Sequence, residues 1–414
     1  MTDVAQQAMT IGGPGETLDD ATVRDFVLRQ LAAEDLDGRS VCVIVPDGTR
    51  SCPLPLLLDA VREALADRAA NVTVLVALGT HAAMTDEHLD RHLGVHDGLT
   101  VRNHEWWRPE ALVSLGTIAE ETVDRLSEGR LREPVDVVVN RAVLDHDVCL
   151  VVGPVFPHEV VGFSGGNKYF VPGVAGQQII DFSHWLGALI TSADIIGTRG
   201  ITPVRALIDQ AVSLIPTRRL ALCLVVESGT GALHAASFGR PEAAWAACAD
   251  ISAETHVRYL DAPVARVLSL VPPKYDDMWT GAKGFYKVEP IVADGGQVII
   301  YAPHITAIAE MHPAIEEIGY HCRDYFLQQW ERFRGYHWGD LAHATHLRGA
   351  GTYDPVQGER GRVTVTLATG IPESVVRAVN LDYLDPADVD IATYRADPDT
   401  FVVPDAGEVL FRLR

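Results

Sequence analysis

The chain has 414 residues, a formal net charge of −22, 47% hydrophobic residues and six cysteines. That length exceeds what a single hydrophobic core supports, so two domains are expected. The negative charge, spread among apolar residues with no local basic patch to offset it, excludes nucleic acid and anionic membranes as partners.

The N-terminal stretch MTDVAQQAMTIGGPGETLDD has neither the basic start nor the apolar run of a secretory signal, and no later segment has the unbroken apolar length of a membrane span. A cytoplasmic protein is expected. The cysteines Cys42, Cys52, Cys149, Cys223, Cys248 and Cys322 form no C-x-x-C pair, and several lie in apolar runs. They read as buried thiols of a reducing compartment, so a metal in this protein would rely on histidine.

In chain order, VCVIVP (41–46) reads as a strand and 54–69 as an amphipathic helix with a proline in its first turn. VTVLVAL (72–78) is a second strand, TDEHLDRHLG a capped helix, and VDVVVN and CLVVGPV two more strands. Helices dominate 177–260, broken by LALCLVV near 220. The grammar restarts with the strands ARVLSLVPP (265–273), GGQVIIYAP (295–303) and VTVTLATG (363–370), the last followed by the helix PESVVRAVN. The fold class is α/β: an N-terminal domain over 1–262 and a C-terminal domain over 263–414, with the active site in the cleft between them.

In open α/β sheets ligands settle beyond the carboxyl ends of the strands, so the loops there are where chemistry is sought. Those loops present Asp47, Arg50, His81, His158, Lys168 and Lys283. Asp47-Gly-Thr-Arg50 by itself reads as a tight turn capping the next helix. Its functional reading has Arg50 offering a planar fork to a carboxylate, while Asp47 accepts from a sugar hydroxyl or orients a neighbour. His81, directly after an apolar strand, suits proton exchange with a substrate hydroxyl. Between His158 and Lys168, the glycines at 162, 165 and 166 and the intervening Ser164 read either as a simple turn or as an anion nest. The segment is not a Walker A loop, because the Gly-x4-Gly-Lys-Ser/Thr spacing is absent. His184 falls on a helix beginning near Gln177; a lone helical histidine is more often structural, but one imidazole suffices for a metal held mostly by something else. His104, His304, His312, His321, His337, His343 and His346 are ambiguous: the Gly335–Gly339 segment with LAHATH (341–346) could line the cleft from the second domain or pack between helices, and packing is preferred for each.

Taken together, Asp47-Gly-Thr-Arg50, Gly79-Thr-His81, the Pro157-His158 to Lys168 segment, His184 and Lys283-Gly284 resemble the nickel-dependent lactate racemase family of the LarA type. The intervals of ten from His158 to Lys168 and sixteen from Lys168 to His184 match that family's pattern. The resemblance implies racemisation or epimerisation of a small 2-hydroxy acid by proton-coupled hydride transfer. It implies a nickel-pincer nucleotide tethered to Lys168, with His184 as the protein's nickel ligand and assembly proteins as partners that build the cofactor. It further implies His81 and His158 as the acid/base pair and Arg50, Lys283 and Thr280 as substrate contacts. Asp47, Thr49, Ser164, Gly165 and Gly166 would lie against the nucleotide. Two departures stand out: Ala82 follows the histidine where many members have arginine, and Thr280 replaces the glutamine of the lactate enzyme. A shorter side chain at 280 leaves room for a larger substituent, so a substrate other than lactate is expected. Two other readings of the same residues are a zinc hydrolase using His81, His158 and His184, and a non-catalytic nucleotide-binding protein.

Overall fold

The computed structural model describes residues 8–414. The chain divides into two compact units. The first comprises the stretch up to Phe156 together with Phe163–Ile180 and Arg199–Thr255, and the second Pro157–Gly162, Asp181–Thr198 and His256–Arg414. A single break near 262 was expected; the last passage of the chain into the second unit is indeed close by, at Thr255/His256. The segments 157–162 and 181–198 also belong with the second unit, so His158 and His184 are carried by it rather than by the N-terminal one. Contiguity in sequence hides such exchanges, because a loop and a half-helix pack by proximity and not by chain order.

In the first unit the strands are β1 (Met9–Gly12), β2 (Ser40–Pro46), β3 (Asn71–Ala77), β4 (Thr100–Asn103), β5 (Val148–Pro154), β6 (Arg218–Val226) and β7 (Leu233–Gly239). They form a seven-stranded sheet in the order β1-β7-β6-β5-β2-β3-β4. Strands β6, β5, β2, β3 and β4 are parallel, and β7 and β1 add an antiparallel edge. Strand β2 is buried on both faces, as its uninterrupted apolar run requires. On one face Val41, Val43 and Val45 meet Val23, Phe26 and Val27 of the helix Asp20–Ala32 and Leu57, Leu58 and Val61 of the helix Leu54–Leu65. The latter helix ends four residues before the expected position 69. Arg68 lies in the turn beyond it and caps the neighbouring helix through the Leu31 and Glu34 carbonyls at 2.8 Å each.

Two sequence expectations shift here. VDVVVN is a strand (Val135–Asn140), but it pairs with Leu112–Ile118 as a separate ribbon instead of joining the main sheet. Helices dominate 177–260 as expected, broken by β6 at LALCLVV, but a second strand, β7, lies there unexpectedly. Strand β7, LHAASFG, is rich in small residues and lacks the β-branched signal of a strand; pairing with β6 and β1 imposes its conformation.

The second unit is built on a parallel five-stranded sheet. Its strands are β8 (Val264–Leu270), β9 (Val292–Ala302), β10 (Thr364–Thr369), β11 (Asp382–Tyr383) and β12 (Thr400–Val403), in the order β11-β10-β9-β8-β12. The helix Trp338–Arg348 is buried from Gly339 to Leu347, so its polar side chains must find partners inside the unit. All six cysteines are unpaired, and five are buried. Among the described residues no helix is long and apolar enough to cross a membrane.

Candidate functional site

In the first unit, β2 delivers the Asp47-Gly-Thr-Arg50 turn and β3 delivers His81. The Asp47 carboxylate does two jobs. Its Oδ1 accepts the Thr49 amide at 3.1 Å and the Thr49 hydroxyl at 2.7 Å, closing the turn, while its Oδ2 takes a short hydrogen bond from His81 Nδ1. Asp47 thus closes the turn and orients His81; it does not cap the next helix, whose N-cap is Pro53 without a side-chain cap bond. Held this way, His81 keeps its proton on Nδ1 and presents Nε2 as a base, with a carboxylate behind it to stabilise the imidazolium.

The turn carrying Lys168 (Gly166–Tyr169) packs beside β2. The main chain links it to the His81 loop: Gly79 N–H donates to the Gly173 carbonyl at 2.9 Å, and Gly173 N–H donates to the Lys168 carbonyl at 3.0 Å. Tyr169 is fully buried, and burial pushes its phenol well above the usual range, so it stays protonated near Cys52, Arg50 and Asp47. Asn167 anchors the turn by donating from Nδ2 to both Asp209 and Glu242 at 2.9 Å. Desolvation raises the Asp209 carboxyl above the usual carboxylate range.

Beneath the glycines lies a residue without a sequence signal. Arg205 is buried and donates to the carbonyls of Gly165 at 3.1 Å and Phe163 at 2.6 Å, with its guanidinium 4.2 Å above the Trp245 ring. The Ser164–Gly166 loop is thus clamped from within. Ser164 donates its amide to the Phe156 carbonyl at 2.8 Å, accepts the Phe156 amide on its hydroxyl at 3.0 Å, and accepts the Trp245 indole N–H on its carbonyl at 3.0 Å. A Cβ at Gly165 would stand 2.6 Å from Val155 Cγ2, and one at Gly166 would stand 2.7 Å from Trp245 Cβ. These glycines serve close packing. The Ser164 amide, the Gly166 amide (directed at the Cys223 thiol) and the Lys168 amide are all engaged inside the protein, which is not the open anion nest expected of them.

The second unit holds His158, His184, Thr280 and Lys283. His158 is buried; its Nδ1 accepts the Val160 amide at 3.2 Å and lies 3.4 Å from the Glu159 carboxylate. One nitrogen cannot accept and donate at once. The amide bond belongs to the neutral ring, protonated on Nε2, while the carboxylate takes Nδ1–H when the ring is charged. Glu159, passed over in the sequence although adjacent to His158, becomes the partner of that ring only in its charged form, whereas Asp47 already holds His81. Thr280 is capped into a short helix, its amide donating to Asp277 Oδ1 at 3.1 Å. Lys283 is buried with its ammonium 5.1 Å from the centroid of the Tyr275 ring.

His343 belongs to LAHATH, for which the sequence left open a place in the cleft while preferring packing. Burial, reinforced by positive charge on His312, His346, Lys283 and His184, pushes its imidazole well below the usual range. A histidine read as packing thus lies among the candidate substrate and metal residues of its unit, brought there by the buried helix Trp338–Arg348. The packing reading does describe His104: Nε2 donates to the Ala175 carbonyl at 2.8 Å, Nδ1 accepts from Asn140 at 3.1 Å, and burial lowers its pKa to about 4.

Residues 27–195 match the family model described as the lactate racemase N-terminal domain. Two curated lactate racemases are 26% identical to the chain, one from Thermoanaerobacterium thermosaccharolyticum over 279 residues and one from Lactiplantibacillus plantarum over 269. Each alignment covers 64% of this chain and 60% of the relative's length. Among solved structures, a Thermotoga maritima protein superimposes with a TM-score of 0.90 at 31% identity, covering 97% of this chain and all of that one. The lactate racemase apoprotein from Thermoanaerobacterium thermosaccharolyticum shares the fold, with a TM-score of 0.71 at 20% identity over 98% of this chain and all of its own. The ordered motifs, the matched N-terminal domain and the two curated relatives together make this chain a member of the lactate racemase family.

Proposed function

We propose that the protein is an isomerase that racemises or epimerises a small 2-hydroxy acid other than lactate, with His81 and His158 as its proton-exchanging pair. The observation that carries this reading is that each imidazole has its Nδ1 beside a carboxylate, Asp47 for His81 and Glu159 for His158. Inversion at a carbon bearing a hydroxyl needs two bases able to trade roles. Each must take the hydroxyl proton for one enantiomer and return it for the other. His81 does so on Nε2; His158 does so on Nε2 once its neutral ring carries its proton on Nδ1 against Glu159 and gives up the Val160 amide, and a carboxylate beside Nδ1 stabilises the charged ring in either role.

The donor set also suits a nickel-pincer nucleotide. Among the described residues no three His, Cys, Asp or Glu side chains are grouped to hold a metal. A metal here therefore needs a carrier with its own donors and one imidazole from the chain. Lys168, on its anchored turn, offers the amine for a covalent tether, and His184 the imidazole. When bound, that group supplies a hydride acceptor and donor for the substrate's C2. The chain's own residues do the rest. Arg50 and Lys283 bind and orient the substrate carboxylate, Thr280 flanks the substituent, and the Asp47 to Thr49 turn supports the nucleotide. Partners in this reading are the small acid and the proteins that assemble the cofactor.

The test is chiral chromatography of enantiopure 2-hydroxy acids incubated with protein produced alongside the cofactor-building enzymes, with intact mass verifying a nucleotide-sized adduct. Inversion is expected, abolished in His81→Ala and His158→Ala without loss of the adduct, while Lys168→Ala loses both. Adduct-bearing protein that inverts no 2-hydroxy acid would overturn the proposal.

A further inference from the structure

The proposed reaction leaves unused a column of rings in the second unit. Trp279, adjacent to Thr280, lies 3.7 Å from His312 and 4.2 Å from His343 between ring centroids, with interplanar angles of 9° and 29°. Two rings so near one centroid cannot share a face of the indole, so the imidazoles sandwich it. The column is held from outside: His312 Nδ1 donates to Asp340 at 2.8 Å, and His343 Nε2 is 3.3 Å from the Tyr320 hydroxyl.

Hydrogen-bond accounting assigns the protons. The Tyr320 hydroxyl is buried and has no other acceptor among the described residues, so its O–H donates to His343 Nε2 and the ring proton of His343 sits on Nδ1. That Nδ1–H and the Trp279 indole N–H have no hydrogen-bond partner among the described residues. Lys283 and His184 lie within electrostatic reach of the same imidazole. Two uncommitted donors thus stand close to the groups assigned to the substrate carboxylate and the metal.

Resting on the racemase reading above, we infer that the substrate is a 2-hydroxy acid whose C2 substituent carries an oxygen acceptor, a hydroxyl or a second carboxylate, received by His343 Nδ1–H and Trp279 Nε1–H. An alkyl substituent would give neither donor a partner on the substrate, and sites built to hydrogen-bond a substrate group discriminate strongly against analogues lacking it. An aromatic substituent cannot stack on Trp279, because both indole faces are covered.

The test compares glycerate, malate and 2-hydroxybutyrate as substrates of the cofactor-loaded protein. Glycerate and 2-hydroxybutyrate have equal numbers of heavy atoms in the substituent and differ by one oxygen. Expected is a kcat/KM at least about tenfold higher for glycerate or malate than for 2-hydroxybutyrate, with the better of the two showing which acceptor is used. The ratio should collapse toward one in His343→Leu and survive in part in His343→Asn, whose amide N–H can stand where Nδ1 stood. If 2-hydroxybutyrate is inverted as fast or faster, this inference falls while the racemase reading stands. If a loaded protein inverts none of the three, this inference falls, and the racemase reading falls with it only if no other 2-hydroxy acid is inverted either. Should His343→Leu not fold, the wild-type ratio and Trp279→Phe, which keeps the stack and removes the N–H, decide the matter.

Discussion

At the scale of single residues, the Asp47–His81 pair is the most exposed to test. Asp47→Asn keeps the shape of the turn but removes the charge behind the imidazole. Racemisation kcat is expected to drop about 10²-fold, the lower end of what a positioned acid/base contributes, with KM nearly unchanged. In a His81→Ala background the same substitution should have little further effect, because the two residues act as one unit. A full additional loss in the double variant, read by chiral chromatography, would show that Asp47 acts on something other than His81. Asp47, Arg50, His81, Lys168 and His184 were legible as candidates because each breaks the local pattern of its element. Glu159 and Arg205 were not: a carboxylate beside a histidine and an arginine in an amphipathic helix are each ordinary until burial and partners are known, and for the same reason His343 in LAHATH stood open between cleft and packing.

At the scale of elements, the glycine-rich turn that presents Lys168 behaves as a packed joint. Gly166 has φ +57° and no room for a Cβ against Trp245. Gly166→Ala is therefore expected to destabilise the protein by about 2 kcal/mol, combining left-handed strain with overpacking, visible as a lowered urea midpoint. Arg205→Met should cost about 3 kcal/mol, because the Phe163 and Gly165 carbonyls lose their donor inside the unit. If Arg205→Met unfolds at the wild-type midpoint, the clamp has no energetic weight. The elements themselves were readable where the pattern was strong. Strands β2, β3, β5, β8, β9 and β10 have apolar, β-branched runs bounded by turn residues, and the helix Asp86–Leu93 opens on the expected cap, Thr85 accepting the His88 amide at 3.3 Å. The edges β1 and β7 were not readable, since their pairing and not their composition makes them strands.

At the scale of the whole molecule, buried neutral histidines set an acid limit on stability. His104 in the first unit and His346 in the second both have pKa values lowered to about 4, chiefly by burial. Unfolded, each binds a proton near its ordinary value of 6.5. As pH falls from 6.5 toward 4 the unfolded chain therefore takes up protons first, and stability is lost across that window, by up to about 3 kcal/mol per histidine. Above 6.5 the contribution is complete. Urea unfolding between pH 4 and 8 should show this slope, and His104→Asn with His346→Leu should flatten it; a flat wild-type profile would contradict the buried neutral assignment.

Several properties of this protein are local and so were determined by sequence alone: the α/β grammar, the strand-end loops that carry the candidate residues, the order and spacing of the family's motifs, and the scattered cysteines. Periodicity, caps and turn residues act over a few positions and need no partner to be recognised. What only tertiary structure decided is non-local. It gave His158 and His184 to the second unit, packed Trp245 against the glycine loop, set Asp47 behind His81, and stacked His343 on Trp279. Each depends on which residues far apart in the chain come into contact, and on the burial and hydrogen bonding that follow from it.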